Sequence, residues 1–177
     1  MSKLKNPKYL TIAAMLTAIA VILGFFKISI TSFIEIRFAS LPIAISGAFM
    51  GPVVGGIVGG LADVLGYIVK PTGPFFPGFT LTTILTGVIY GICLKPDEDG
   101  NIKLKRIIIG QLIVTLVINT LLNTVWLAVL YGKAFEVMIF SRLFKELIML
   151  PINIIILYAV LKPAKKAIRF AIPKTEQ

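Results

Sequence analysis

Five stretches of this chain pass without one charged residue: 10–26, 38–62, 71–94, 107–132 and 147–161. A helix that crosses the hydrocarbon core of a bilayer needs about 20 largely apolar residues. Backbone polar groups have no water to bond there, so helices are the default spanning element. Apolar residues make up 57% of the 177 and charged residues only 15%, too much greasy surface for a soluble domain of this size to hide. The expected fold is therefore an all-α membrane protein of one domain, residues 1–177, with six transmembrane helices. Their spans are predicted at about 9–26, 38–50, 52–69, 80–94, 107–131 and 138–161.

Break signals set these limits. Gly51-Pro52 separates the second span from the third, because proline starts a helix better than it continues one. The alternating apolar residues of 27–37 fit an extended connector rather than a helix. The third span carries Gly55, Gly56, Gly59 and Gly60, rows of small residues that let helices approach closely in lipid. No cleavable signal peptide is expected, since the first apolar run is too long and lacks a small-residue cleavage site.

Composition removes several functions. There is no histidine, and Cys93 is the only cysteine. An internal disulfide, a Cys/His metal cluster and Ser-His or Cys-His nucleophile chemistry are thereby excluded. No GxxxxGK[ST] run is present, so ATP is not bound through a phosphate loop. The net charge of +10 is a topology signal rather than a nucleic-acid footprint. Twelve of the eighteen basic residues fall in the N-terminus, the 95–106 connector and the tail, all on one side of a six-span chain. Lys and Arg mark the cytoplasmic side, so both termini are expected there.

Polar side chains inside the spans are costly and usually mark a functional path. Asp63 lies roughly 9 Å below the outer end of the third span, with Tyr67 and Lys70 on the same face. Asn119, Asn123 and Trp126 repeat an i, i+4, i+7 spacing in the outer half of the fifth span. Arg142, Lys145 and Glu146 stand one to two turns into the sixth, with Arg142 and Glu146 four apart. Arg37 and Lys70 are at the rim. The connector "KPTGPFFPGFT" sets Phe75, Phe76 and Phe79 on a backbone stiffened by proline, and residues 70–79 are expected to form an outer lid. Proline lowers the entropy cost of ordering such a loop, and phenylalanine offers flat faces to a planar ligand. Three polar faces at one depth under an aromatic cover have the layout of a small-molecule pocket. Each also has a plain structural reading: interhelical amide bonds for Asn119 and Asn123, an ion pair for Arg142 and Glu146, a clamp for Asp63 and Lys70, and an interface belt for Trp126.

The segments "FMGPVVGGIVGGLADVLGYIVKPTGPFFPGFTLTTILTGVIYG" and "SRLFKELIMLPIN" resemble the substrate-binding S component of energy-coupling factor (ECF) vitamin transporters, nearest the folate-specific S components. The resemblance extends over about 11–161. Its specific parts are GPVVG, D-x-x-G-Y-x-x-K-P-T-G-P and R-x-x-K-E-L-I-M-L-P. It implies the S-component fold in a bacterial plasma membrane, no enzymatic activity and no cofactor. Its partners would be folate, a transmembrane coupling subunit and two cytoplasmic ATPases that use the ATP. The protein would capture its vitamin at the outer face and topple to deliver it inward. Ala14 and Ala18, an A-x-x-x-A pair on the first helix, would contact the coupling subunit.

Folate suits the polar residues. Its pterin edge pairs an N–H with an amino group, for which Asp63, Glu146, Asn119 and Asn123 offer oxygens. Its ring suits Trp126, Tyr67, Phe75, Phe76 or Phe79, and its anionic tail suits Arg37, Lys70, Arg142 or Lys145. Riboflavin, thiamine and biotin are the alternatives within the family. Outside it stand a membrane enzyme using Glu146, Asp63 and Arg142, and a purely structural subunit.

Overall fold

The computed structural model describes residues 6–29, 35–71, 75–97, 101–131 and 135–171. Helix α1 (Pro7–Phe25) starts at Asn6, whose side chain accepts the Lys8 N–H at 3.0 Å. Two three-residue strands follow, β1 (Lys27–Ser29) and β2 (Glu35–Arg37), paired antiparallel with Ile28 opposite Ile36. This ladder is the extended connector expected from the alternation at 27–37.

Helix α2 (Ser40–Met50) has only eleven residues. At 1.5 Å per residue it reaches about 16 Å, half the hydrocarbon thickness. Gly51 ends it with φ +101°, a conformation that favours glycine, and Pro52 opens α3 (Pro52–Val69) in the next position. The Gly-Pro pair is thus a tight turn between two antiparallel helices. Helix α4 (Pro77–Cys93) also begins on a proline, three residues earlier than the sequence suggested. The second half of the expected lid is therefore a helix start, and residues 72–74 lie outside the described residues.

The fifth span runs unbroken from Leu104 to Tyr131 but changes its winding. It comprises α5 (Leu104–Ile113), a π-helical segment (Val114–Leu122) and α6 (Asn123–Tyr131). The Thr120 hydroxyl donates to the Thr115 carbonyl at 2.9 Å, a five-residue reach that follows the wide turn. Helix α7 (Phe135–Ala171) passes through Pro151 and Pro163 and continues ten residues beyond the expected end at 161. That tail has a packing reason: Ile168 is buried in one core cluster with Tyr9 and Ala13 of α1. Lys165 Nζ also donates to Asn101 Oδ1 at 2.7 Å. Burial of the tail outweighs the helix-breaking tendency of Lys162-Pro163.

Two core clusters meet at α2. Ile43 and Met50 pack with α1 and α3, whereas Ala44 and Ala48 pack with Tyr90, Ile107, Ile118 and Leu157. Among the described residues four helical stretches are long and apolar enough to cross a membrane: Pro7–Phe25, Pro52–Val69, Leu104–Leu130 and Arg142–Ile168. Leu10, Met15, Ile19 and Ile22 of α1 and Leu61, Leu65 and Ile68 of α3 are exposed, as suits a bundle solvated by lipid. One end of the bundle carries the β hairpin. The other is basic, where Asp97 pairs with Lys103 and Arg106 at 3.5 Å each.

The glycine rows bring α2, α3 and α4 into backbone contact. A Cβ on Gly55 would lie 2.6 Å from the Gly87 carbonyl oxygen and 2.7 Å from the Gly47 Cα. Neither is the yielding end of a side chain, so whole helices must separate. Gly55→Ala is expected to cost about 2 kcal/mol. A clear fall in the melting temperature of the purified protein in detergent would register it.

Candidate functional site

Several of the polar and aromatic residues singled out in the sequence make contacts with one another or with a neighbouring helix, in three separate groups. Asp63 of α3 is half-buried, and its Oδ2 accepts the hydroxyl of Thr80 on α4 at 2.7 Å. The carboxylate therefore ties α3 to α4, while Lys70, seven residues on, is exposed at the helix end. Thr80 escaped sequence reasoning because a threonine near a helix start reads as neutral.

The second group is aromatic. Tyr67 and Phe75 pack with ring centroids 5.1 Å apart. Phe76 lies 5.8 Å from Phe79, edge to face, and 5.6 Å from Trp126 of α6. Gly78 makes the last contact possible: a Cβ there would lie 2.7 Å from the Trp126 ring and collide with Phe76. Two polar atoms are orphaned here. Trp126 Nε1 and the side-chain oxygen of Asn123 are both buried and lack hydrogen-bond partners among the described residues. A donor and an acceptor left buried and unpaired each cost about 1–3 kcal/mol, a cost that a bound partner would remove.

The third group links the fifth span to α7. Asn119 Nδ2 donates to Glu146 Oε2 at 3.4 Å, a long bond between the fifth span and α7. Sequence spacing put Asn119, Asn123 and Trp126 on one α-helical face. The π-helical winding changes that phase. Asn119 reaches α7, whereas Trp126 reaches the start of α4. π-Helical turns often occur where a side chain must be re-aimed at a site. Arg142 and Lys145 are half-buried on the same stretch of α7. Arg37 falls on β2, and its side chain is outside what the structure describes.

Deeper in the bundle lies a polar chain absent from the sequence-based set. The Tyr90 hydroxyl donates to Gln111 Oε1 at 2.7 Å, and Gln111 Nε2 donates to Thr115 Oγ1 at 3.3 Å. Gln111 is 4% exposed, which makes this a fixed network rather than a solvated one. Gln111 sits inside an apolar run, and an intramembrane amide was the signal that could have found it. Among the described residues no group of His, Cys, Asp and Glu could hold a metal ion.

Comparison with known proteins agrees with this architecture. Residues 8–161 match the family described as ECF transporter, substrate-specific component. The chain is 40% identical over 150 residues to the folate transporter FolT of Clostridium novyi (strain NT), covering 85% of each protein. It superposes on the crystal structure of FolT bound with folic acid with a TM-score of 0.79 at 32% identity, covering 90% of this chain and 98% of that one. The S component of another bacterial ECF transporter matches with a TM-score of 0.60 at 26% identity, over 89% of this chain and 96% of that one.

Proposed function

The chain belongs to the family of ECF transporter substrate-specific components, and from that premise we propose that it binds folate in the membrane for an ECF-type importer. It is not an enzyme. The observation that carries the folate reading is the orphaned pair, Trp126 Nε1 and the Asn123 oxygen, with the Trp126 ring packed on Phe76 and Phe76 on Phe79. A flat heteroaromatic ring that both donates and accepts would satisfy the two atoms and stack on the aromatics. The similarity to FolT supports folate among such ligands. In this reading Glu146, Asn119 and Asn123 read the pterin edge. Trp126, Phe76 and Phe79 hold its ring, with Tyr67 and Phe75 beside them. Arg37, Lys70, Arg142 and Lys145 face the anionic tail. Asp63 acts through Thr80, fixing α3 to α4 under the aromatic cover.

The basic end is the cytoplasmic one, which puts both termini inside a bacterial plasma membrane and the site outside. Delivery inward uses a transmembrane coupling subunit and two ATPases. Ala14 and Ala18 are exposed on α1, beside Met15, Ile19 and Ile22, while Ala13 and Ala20 are buried in the core. A smooth exposed strip of small residues permits close approach of a partner helix. Ala18→Phe is therefore expected to leave folic acid binding intact and to cut ATP-driven uptake roughly tenfold or more, by loss of helix docking. Uptake into vesicles holding the complete transporter measures this. Unchanged uptake would place the docking surface elsewhere.

The direct test is ligand binding. Trp126 is the only tryptophan, so its emission reports on the site itself. Folic acid should change that emission and raise the melting temperature, because a ligand bound only to the folded state stabilises it by mass action. Riboflavin, thiamine and biotin should do neither. A response to one of them and not to folic acid would reassign the substrate.

A further inference from the structure

The fifth span changes its winding just ahead of the candidate site. The Val114 N–H bonds back to the Gly110 and Gln111 carbonyls, the reach of an ordinary helix, whereas the Asn123 N–H bonds back five residues to the Ile118 carbonyl. Asn123 thus takes its place from the last wide turn, and Trp126 follows three residues later in α6. Each residue added to a turn sets back everything after it by about 100°.

A chain of polar side chains runs along this change. Gln111, Thr115, Thr120 and Thr124 are all buried, at steps of four, five and four residues. Gln111 is fixed from α4 by the Tyr90 hydroxyl and donates to Thr115 Oγ1. The Thr120 hydroxyl donates to the Thr115 carbonyl at 2.9 Å, and the Thr124 hydroxyl donates to the Thr120 carbonyl. In unbroken α winding Thr120 and Thr124 would stand about 180° and about 220° round from Gln111, on the opposite face. The wide turns instead keep all four inside the bundle. A threonine in a helix ordinarily bonds the carbonyl three or four residues back, as Thr82, Thr86 and Thr124 do. Thr120 reaches five, to a residue already anchored through Gln111 to α4.

We propose that Thr120 is a positioning residue for ligand binding: its hydroxyl, on the Thr115 carbonyl, holds the wide winding that sets the facing of Asn123 and Trp126. This rests on the folate reading of the site. π-Helical turns are rare and usually single, so a run of nine residues needs side chains that favour it. Thr120 touches no ligand. It fixes the rotation of α6, so that Trp126 packs on Phe76 while its Nε1 and the Asn123 oxygen stay buried. Without that bond the helix is free to rewind toward α geometry and turn both residues away.

The test compares Thr120→Val, which keeps the shape and removes the hydroxyl, with Thr120→Ser, which keeps the hydroxyl. Thr86→Val is the control, because it deletes a buried α4 hydroxyl bonded four residues back in the ordinary way. Thr120→Val is expected to weaken folic acid binding by the purified protein roughly tenfold, the worth of about one hydrogen bond to the ligand. It should also shift the emission maximum of Trp126 before any ligand is added. Thr120→Ser should restore both, and Thr86→Val should change neither even where its melting temperature falls as far. Thr120→Ala gives the same reading should the valine variant not fold. A Thr120→Val protein that melts lower but binds and emits as wild type does would make the hydroxyl a plain structural bond and overturn the proposal. A serine variant as impaired as the valine one would overturn it too. If wild type binds no folic acid, the folate reading fails by itself, and the emission shift with its rescue by serine still decides the role of Thr120.

Discussion

Trp126→Ala is expected to lower folic acid affinity about a hundredfold while the protein remains folded, and Trp126→Phe about tenfold. The two variants separate two contributions. The alanine removes the ring on which Phe76 packs, 5.6 Å away, and with it the flat surface that a planar ligand would share. The phenylalanine keeps a ring and deletes Nε1, the buried donor that the unliganded protein leaves unpaired. Deleting an orphan donor removes a desolvation penalty from the free protein, so Trp126→Phe should melt no lower than wild type without ligand. Isothermal calorimetry is the suitable measurement, since the intrinsic fluorophore is lost in both variants. Tight binding by Trp126→Ala would mean that the ligand sits elsewhere in the bundle.

How much of this was written plainly in the chain differs by element. Helix α3 matched its predicted limits, because Gly51-Pro52 and Lys70-Pro71 punctuate it at both ends. Helix α7 did not. Lys162-Pro163 reads as a stop, yet Ile168 finds a buried place against Tyr9 and Ala13, a contact between chain ends that no local pattern encodes. The site divides in the same way. Asp63, Trp126 and Glu146 announced themselves as polar or amphipathic residues in apolar spans. The pairing of Asp63 with Thr80, and the parting of Asn119 from Trp126, depend on tertiary contacts and on π-helical winding that α-helical phase arithmetic misses. Gln111 is an uncharged amide, and its bonds to Tyr90 and Thr115 join residues that no local pattern pairs.

Glu146 carries the other large effect. A carboxylate within the apolar helices is expensive to keep, and Asn119 Nδ2 donates to it at 3.4 Å. Such a group suits a ligand edge with two adjacent N–H donors, because charge-assisted bonds are about twice as strong as neutral ones. Glu146→Ala is expected to weaken folic acid binding about a hundredfold, from two bonds worth about 1.5–3 kcal/mol each less what water recovers. Glu146→Gln keeps the size but turns one acceptor into a donor, and should cost about tenfold. Lys70→Ala provides the contrast. That side chain is exposed at the end of α3, where an ion contact contributes at most about 1 kcal/mol and is screened by salt. The unliganded proteins add a second readout. If Glu146 were a structural ion partner, its removal would lower the melting temperature, as breaking a buried pair does. If it is held ready for the ligand, Glu146→Gln should melt at or above wild type while binding worse, the exchange of stability for activity found at functional sites. A variant that melts lower and binds folic acid unchanged would make Glu146 a strut between α7 and the fifth span, and would leave the ligand edge to Asn123.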